Sequence, residues 1–192
     1  MTDHVLDQAR AQAESIAEMV AALTCDYDRL QELRDEREAL QEAVTDAESE
    51  HAAAMRDGEN EGMHALSLLL DAKDILNQWD DENAEELNTL EHEAGDCADE
   101  EDARNRIQED ALSVEVRSGW TTSMHADDMT PEDFRIVLCT GGPHVEIMGE
   151  LAGGTPCSAW IQYQDWGTPM TRFVDIEEST LLAYCREFYF ES

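Results

Sequence analysis

No proline and no glycine occurs between Val5 and Arg56. The residues in that stretch are mainly Ala, Glu, Gln, Leu and Arg, which lose little freedom on entering a helix. Within it Ile16, Leu23, Leu30, Arg37 and Val44 recur every seven residues. A second series, three residues on, links Met19, Asp26, Leu33, Leu40 and Ala47. These are the a and d positions of a heptad pattern, interrupted by Arg37 and Asp26. A single helix cannot bury so narrow a stripe by itself, so the pattern predicts a partner helix, from the same chain or from a second copy.

The first turn signal is Asp57-Gly58-Glu59-Asn60-Glu61-Gly62. Beyond it Met63 to about Leu90 reads as a second helix, with Leu66, Leu69, Leu70, Ile75, Leu76 and Trp79, then Leu87 and Leu90, as its apolar residues. The expected arrangement is an antiparallel helical hairpin. A charged connector, Gly95 to Asp102, leads into a short helix ending near Asp110.

From Leu112 the period changes to two. Leu112, Val114 and Val116 alternate with Ser113, Glu115 and Arg117, a strand pattern. Thr130-Pro131-Glu132-Asp133 reads as a helix or turn start. Phe134 to Thr140 is an apolar strand turned by Gly141-Gly142-Pro143, and Val145, Ile147 and Gly149 continue as its return. After Gly153-Gly154, Ala159, Ile161 and Tyr163 alternate with Trp160, Gln162 and Gln164. Ile176 to Phe190 reads as a closing helix. The expected fold is α+β: an acidic helical hairpin or coiled coil over residues 1–110, then a small antiparallel β-meander with a C-terminal helix over residues 111–192.

Charge narrows the function. The chain of 192 residues has 46 Asp and Glu against 12 Lys and Arg, a net of −34. Surfaces of DNA, RNA and anionic membranes repel such a protein, so direct binding to nucleic acid or membrane is not expected. Residues 1–110 hold 33 acidic and 8 basic side chains. Acidic residues three or four apart on a helix lie about 5–6 Å from each other, close to the spacing of phosphates along a strand. Asp28, Glu32, Asp35 and Glu36 form one such row; Glu38, Glu42, Asp46 and Glu50 form a second; Asp81, Glu82, Glu85 and Glu86 form a third on the second helix. Arms of about 50 residues would be roughly 75 Å long, with about one net charge per 3 Å, half the density of duplex DNA. The partner such rows suit is a basic groove. Two plainer readings stand beside it: a solvated helix face, or adaptation to high internal salt in a chain whose one lysine is Lys73.

Other chemistry is thinly represented. The five cysteines (Cys25, Cys97, Cys139, Cys157, Cys185) include no C-x-x-C pair, which fits free thiols in a reducing cytosol. The six histidines show no i,i+4 pair and no H-E-x-x-H, so neither a metal nor another cofactor is expected. Cys139 ends an apolar strand and reads as a small core residue rather than a nucleophile. Tyr163-Gln164-Asp165-Trp166-Gly167 reads as a strand end whose Trp closes the core, in preference to a recognition surface. The opening Met1-Thr2-Asp3-His4 has no basic start and no apolar run of a signal peptide, and the longest apolar run, Leu66 to Leu70, is too short for a bilayer. A cytoplasmic, non-enzymatic protein is expected.

The C-terminal motifs carry a resemblance. Val114-Glu115-Val116-Arg117-Ser118-Gly119-Trp120, Leu138-Cys139-Thr140-Gly141-Gly142-Pro143, Gly149-Glu150-Leu151 and Tyr163-Gln164-Asp165-Trp166-Gly167-Thr168-Pro169 together resemble a family of small accessory proteins carried by bacteriophages and prophages. The resemblance covers roughly residues 112–190. It implies a phage-encoded protein in a host cell's cytoplasm and brings no established activity or catalytic residue. A phage must disarm host nucleases that grip DNA through basic channels. The combined expectation is a counter-defence inhibitor whose acidic rows mimic nucleic acid in the groove of a CRISPR effector or restriction enzyme. The alternative is a coiled-coil adaptor that would form a homodimer through the heptad helix, and whose acidity only keeps it soluble.

Overall fold

The computed structural model describes residues 3–57, 59–120 and 129–190. The fold is α+β, in two compact units: residues 1–24 with 96–192, and residues 25–95.

The first unit is built on a five-stranded antiparallel sheet of β1 (Ser113–Arg117), β2 (Asp133–Cys139), β3 (His144–Ala152), β4 (Thr155–Gln164) and β5 (Thr171–Arg172), in that spatial order. Alternation, broken in β2 by an irregularity between Val137 and Cys139, drives one face inward: Phe134, Ile136 and Leu138 of β2, Val145 and Ile147 of β3, and Ala159 and Ile161 of β4 are all buried. Helix α1 (Asp3–Thr24) lays Ala9, Ala13, Ile16 and Met19 on that core, with Ile107 of α4 (Glu100–Asp110) and Leu181, Tyr184 and Cys185 of α5 (Glu178–Cys185). Asp99 caps α4 by accepting the Asp102 amide at 2.8 Å. Tyr184 donates its hydroxyl to Asp110 at 2.7 Å, tying α5 to the end of α4. The opposite face of the sheet is mostly polar, and Glu146, the buried charge there among the described residues, accepts from Gln162 at 2.6 Å and lies 2.9 Å from His144.

The second unit is a hairpin of α2 (Tyr27–Asp57) and α3 (Glu59–Ala94). Ion pairs Arg29–Glu86, Arg37–Asp80 and Lys73–Glu48 fix its direction, because the number on α3 falls as that on α2 rises. Leu30 and Leu33 of α2 are buried with Leu87 and Ala94 of α3, and Trp79 and Leu90 pack against them.

Several expectations need correction. The Pro-free stretch is not one helix: helical structure stops at Thr24 and restarts at Tyr27. Asp26 is the reason, since its carboxylate accepts the Arg29 amide at 3.0 Å and caps α2. The heptad stripe is therefore shared between units: Ile16 and Met19 bury against the sheet, Leu30 and Leu33 against α3. All four are at most 2% exposed, so the stripe's covering comes from within the chain at these positions. The division into 1–110 and 111–192 gives way to the two units above, because α1 and α4 supply part of the sheet's core. Helix α3 begins at Glu59, before the expected Met63; Gly58 of the expected turn lies outside the described residues. Thr130 to Glu132 start no helix and lead directly into β2, and the last helix is shorter than Ile176 to Phe190. Val114 and Val116 face the core side opposite Ile136 and Phe134, yet remain 38% and 46% exposed on the edge strand.

Candidate acidic docking surface

The hairpin spanning residues 25–95 has 22 acidic and 5 basic side chains, a net of −17. The first unit also nets −17, spread over a longer segment, so the hairpin is the denser half but does not hold most of the charge. At 31 residues, α2 is about 46 Å long rather than the expected 75 Å. The linear density nevertheless stays at about one net charge per 3 Å, against about 1.7 Å for duplex DNA.

All twelve row residues lie on this hairpin and all are exposed: Asp28, Glu32, Asp35, Glu36, Glu38, Glu42, Asp46 and Glu50 on α2, and Asp81, Glu82, Glu85 and Glu86 on α3. They are not equivalent. Arg29 donates to Glu86 through two bonds of 3.0 Å and lies 3.5 Å from Glu32. The fork holds the Glu86 carboxyl below its ordinary range and pushes the Arg29 guanidinium up, the hydrogen bond being the largest cause in each case. Glu36 accepts the Trp79 indole N–H at 3.0 Å, Asp35 accepts from Gln31 at 2.6 Å, and Glu82 from Gln78 at 2.9 Å. Among the described residues Asp28, Glu38, Glu42, Asp46, Glu50, Asp81 and Glu85 meet no cation.

Four of the hairpin's five cations pair across its own seam. Arg29, Arg34, Arg37 and Lys73 pair across it with Glu86, Glu91, Asp80 and Glu48, between 2.7 and 3.3 Å. Arg37, which interrupts the heptad, thus occupies a core position by pairing rather than by packing. With these four cations engaged internally, the outward face of α2 keeps its negative potential. Heptad spacing puts Leu30, Leu33, Leu40 and Val44 toward α3, which leaves Asp35, Glu42 and Asp46 on the opposite side of the helix.

The remaining candidates carry less. Burial pushes the Cys139 thiol up, the reverse of what a nucleophile needs, and its Sγ lies 3.7 Å from the Pro143 carbonyl. Trp166 does not close the core; it is 81% exposed, with its indole over Gly142. Among the described residues no three His, Cys, Asp or Glu side chains come together as a metal-binding group, and no helix is long and apolar enough to cross a membrane. No family model, curated protein or solved structure matches the chain.

Proposed function

We propose that the chain is a phage-encoded counter-defence inhibitor, acting in the cytoplasm of a host cell without catalysis. Its hairpin stands in for nucleic acid and occupies a basic DNA- or RNA-binding groove of a defence complex, of the CRISPR-effector or restriction-enzyme class. The observation that carries this reading is the outward face of α2, where exposed carboxylates meet no cation while the neighbouring arginines are turned into the seam. A stiff coiled hairpin holds that charge in a line at about half the density of duplex DNA. The phage setting is drawn from the resemblance of residues 112–190.

The row Glu38, Glu42, Asp46 and Glu50 makes no ion pair among the described residues, so its neutralisation spares the fold. Host cells carrying a restriction or CRISPR system should plate phage efficiently when they express the chain. They should lose that protection with the E38Q/E42Q/D46N/E50Q variant. Complex formation should also weaken steeply with NaCl, because screening acts over about 8–10 Å near physiological ionic strength. Full protection by the neutralised variant would instead favour an adaptor whose acidity serves solubility alone.

A further inference from the structure

Glu36 and Arg37 are neighbours on α2 and Trp79 and Asp80 are neighbours on α3, each pair about 100° apart around its helix. The bonds Trp79–Glu36 and Arg37–Asp80 therefore lie on two different sides of the seam. The Arg37 side is closed by ion pairs that include Arg34–Glu91 and Lys73–Glu48. The Trp79 side is closed by the Arg29–Glu86 fork one heptad nearer the base, but beyond that fork it is open: a groove of about 520 Å³ runs between the helices, lined by Ala39, Leu40, Ile75 and Trp79 together with Glu36 and Glu82. Ile75 is 55% exposed, and Leu68, two turns earlier on α3, is 46% exposed. Leu68, Ile75 and Trp79 follow the seven-then-four spacing of one helix stripe. Large apolar side chains thus stand in water beside two carboxylates that accept hydrogen bonds from the uncharged Trp79 and Gln78.

We propose that this groove docks a cationic amphipathic helix of a partner protein, apolar residues in the trough and Lys or Arg against Glu36 and Glu82. A second copy of the chain is the wrong complement, since it would set one hairpin of net −17 against another. The proposal rests on the reading of the hairpin as the partner-binding arm, but it uses a different side from the outward acidic face of α2.

The test uses the full chain and a labelled synthetic helical peptide with Leu at i, i+4, i+7 and i+11 and Lys or Arg elsewhere, followed by fluorescence anisotropy. A scrambled peptide of the same composition should bind at least about tenfold more weakly, and I75S should weaken the amphipathic peptide by about tenfold, the loss expected for one buried aliphatic side chain. The E38Q/E42Q/D46N/E50Q variant should change it less than about threefold, so the groove and the acidic face can fail separately. Equal binding of the scrambled peptide, or indifference to I75S, would overturn the proposal. So would a dimer of the chain alone in sedimentation that I75S dissolves, because the groove would then belong to a second copy.

Discussion

Arg29 grips Glu86 with a two-point fork, Nε to Oε1 and Nη2 to Oε2, both at 3.0 Å. The residues are 57 apart in sequence and close the base of the hairpin. Because the hydrogen bond from Arg29 lowers the Glu86 carboxyl in the folded state, its stabilisation is fully present above the ordinary carboxylate value. It is lost as the pH falls through the depressed one. At neutral pH E86Q should therefore melt below the parent. The gap should close as the solution is taken to the acid side of the carboxylate range, measured by circular dichroism at a series of pH values. A gap independent of pH would show that the fork contributes through packing alone.

The Asp26 cap makes a second measurable contribution. Its carboxylate takes the Arg29 amide at 3.0 Å and its carbonyl takes the Leu30 amide at 2.9 Å. D26A should cost about 1 kcal/mol, read as a lower urea midpoint with an unchanged slope.

That residue also shows how far a sequence can be read. The heptad register was legible, and so were Leu30 and Leu33 as buried positions, because burial follows the 3.5-residue spacing whatever covers the stripe. What covers it was not legible. Ile16 and Met19 carry the same signal as Leu30 and Leu33, yet their partners are strands whose pairing is decided more than a hundred residues later. The interruption at Asp26 was visible as a polar residue on an apolar stripe; reading it as a cap would have split the helix and moved the domain boundary. At the site, exposure of all twelve carboxylates followed from helix periodicity. Which of them Arg29 or Trp79 would engage depends on the cross-hairpin register, and no local pattern encodes that. Ile75 belongs to the apolar residues of α3 yet is 55% exposed, because α3 has more apolar residues than one seam can bury.

Gly149 is constrained by close approach. A Cβ at this position would run into the Ser158 carbonyl and the Phe134 ring, both parts of the sheet's packed face. G149A should destabilise the sheet unit by about 1–3 kcal/mol through overpacking. The loss should appear in the near-ultraviolet signal of its aromatic side chains, while far-ultraviolet helicity of the hairpin persists.

The thiols should react in an order set by burial. Cys157 is exposed, Cys25 and Cys139 are half-buried, and Cys97 and Cys185 are buried. Burial also pushes the Cys25, Cys139 and Cys185 thiols up, which leaves less thiolate at any given pH. Iodoacetamide at mildly alkaline pH should modify Cys157 first and Cys185 only on unfolding, resolved by peptide mass spectrometry. Early modification of Cys185 would mean that α5 opens readily from the sheet.

Salt should act on this protein in two opposite directions. The chain has 46 acidic and 12 basic side chains, so like-charge repulsion in the folded state outnumbers attraction. Its ion pairs are largely exposed, as for Arg34 and Glu91 at 47% and 43%, and each such pair contributes at most about 1 kcal/mol. Screening the repulsion should outweigh weakening these pairs, and the thermal midpoint should rise as NaCl increases from about 0.05 M to 0.5 M, over which the screening length falls from roughly 14 Å to 4 Å. Binding to a cationic partner should weaken over the same range, since there the screened interaction is attractive. A midpoint that falls with salt would mean that the pairs Arg29–Glu86, Arg37–Asp80 and Lys73–Glu48 hold the hairpin more firmly than exposed pairs do elsewhere.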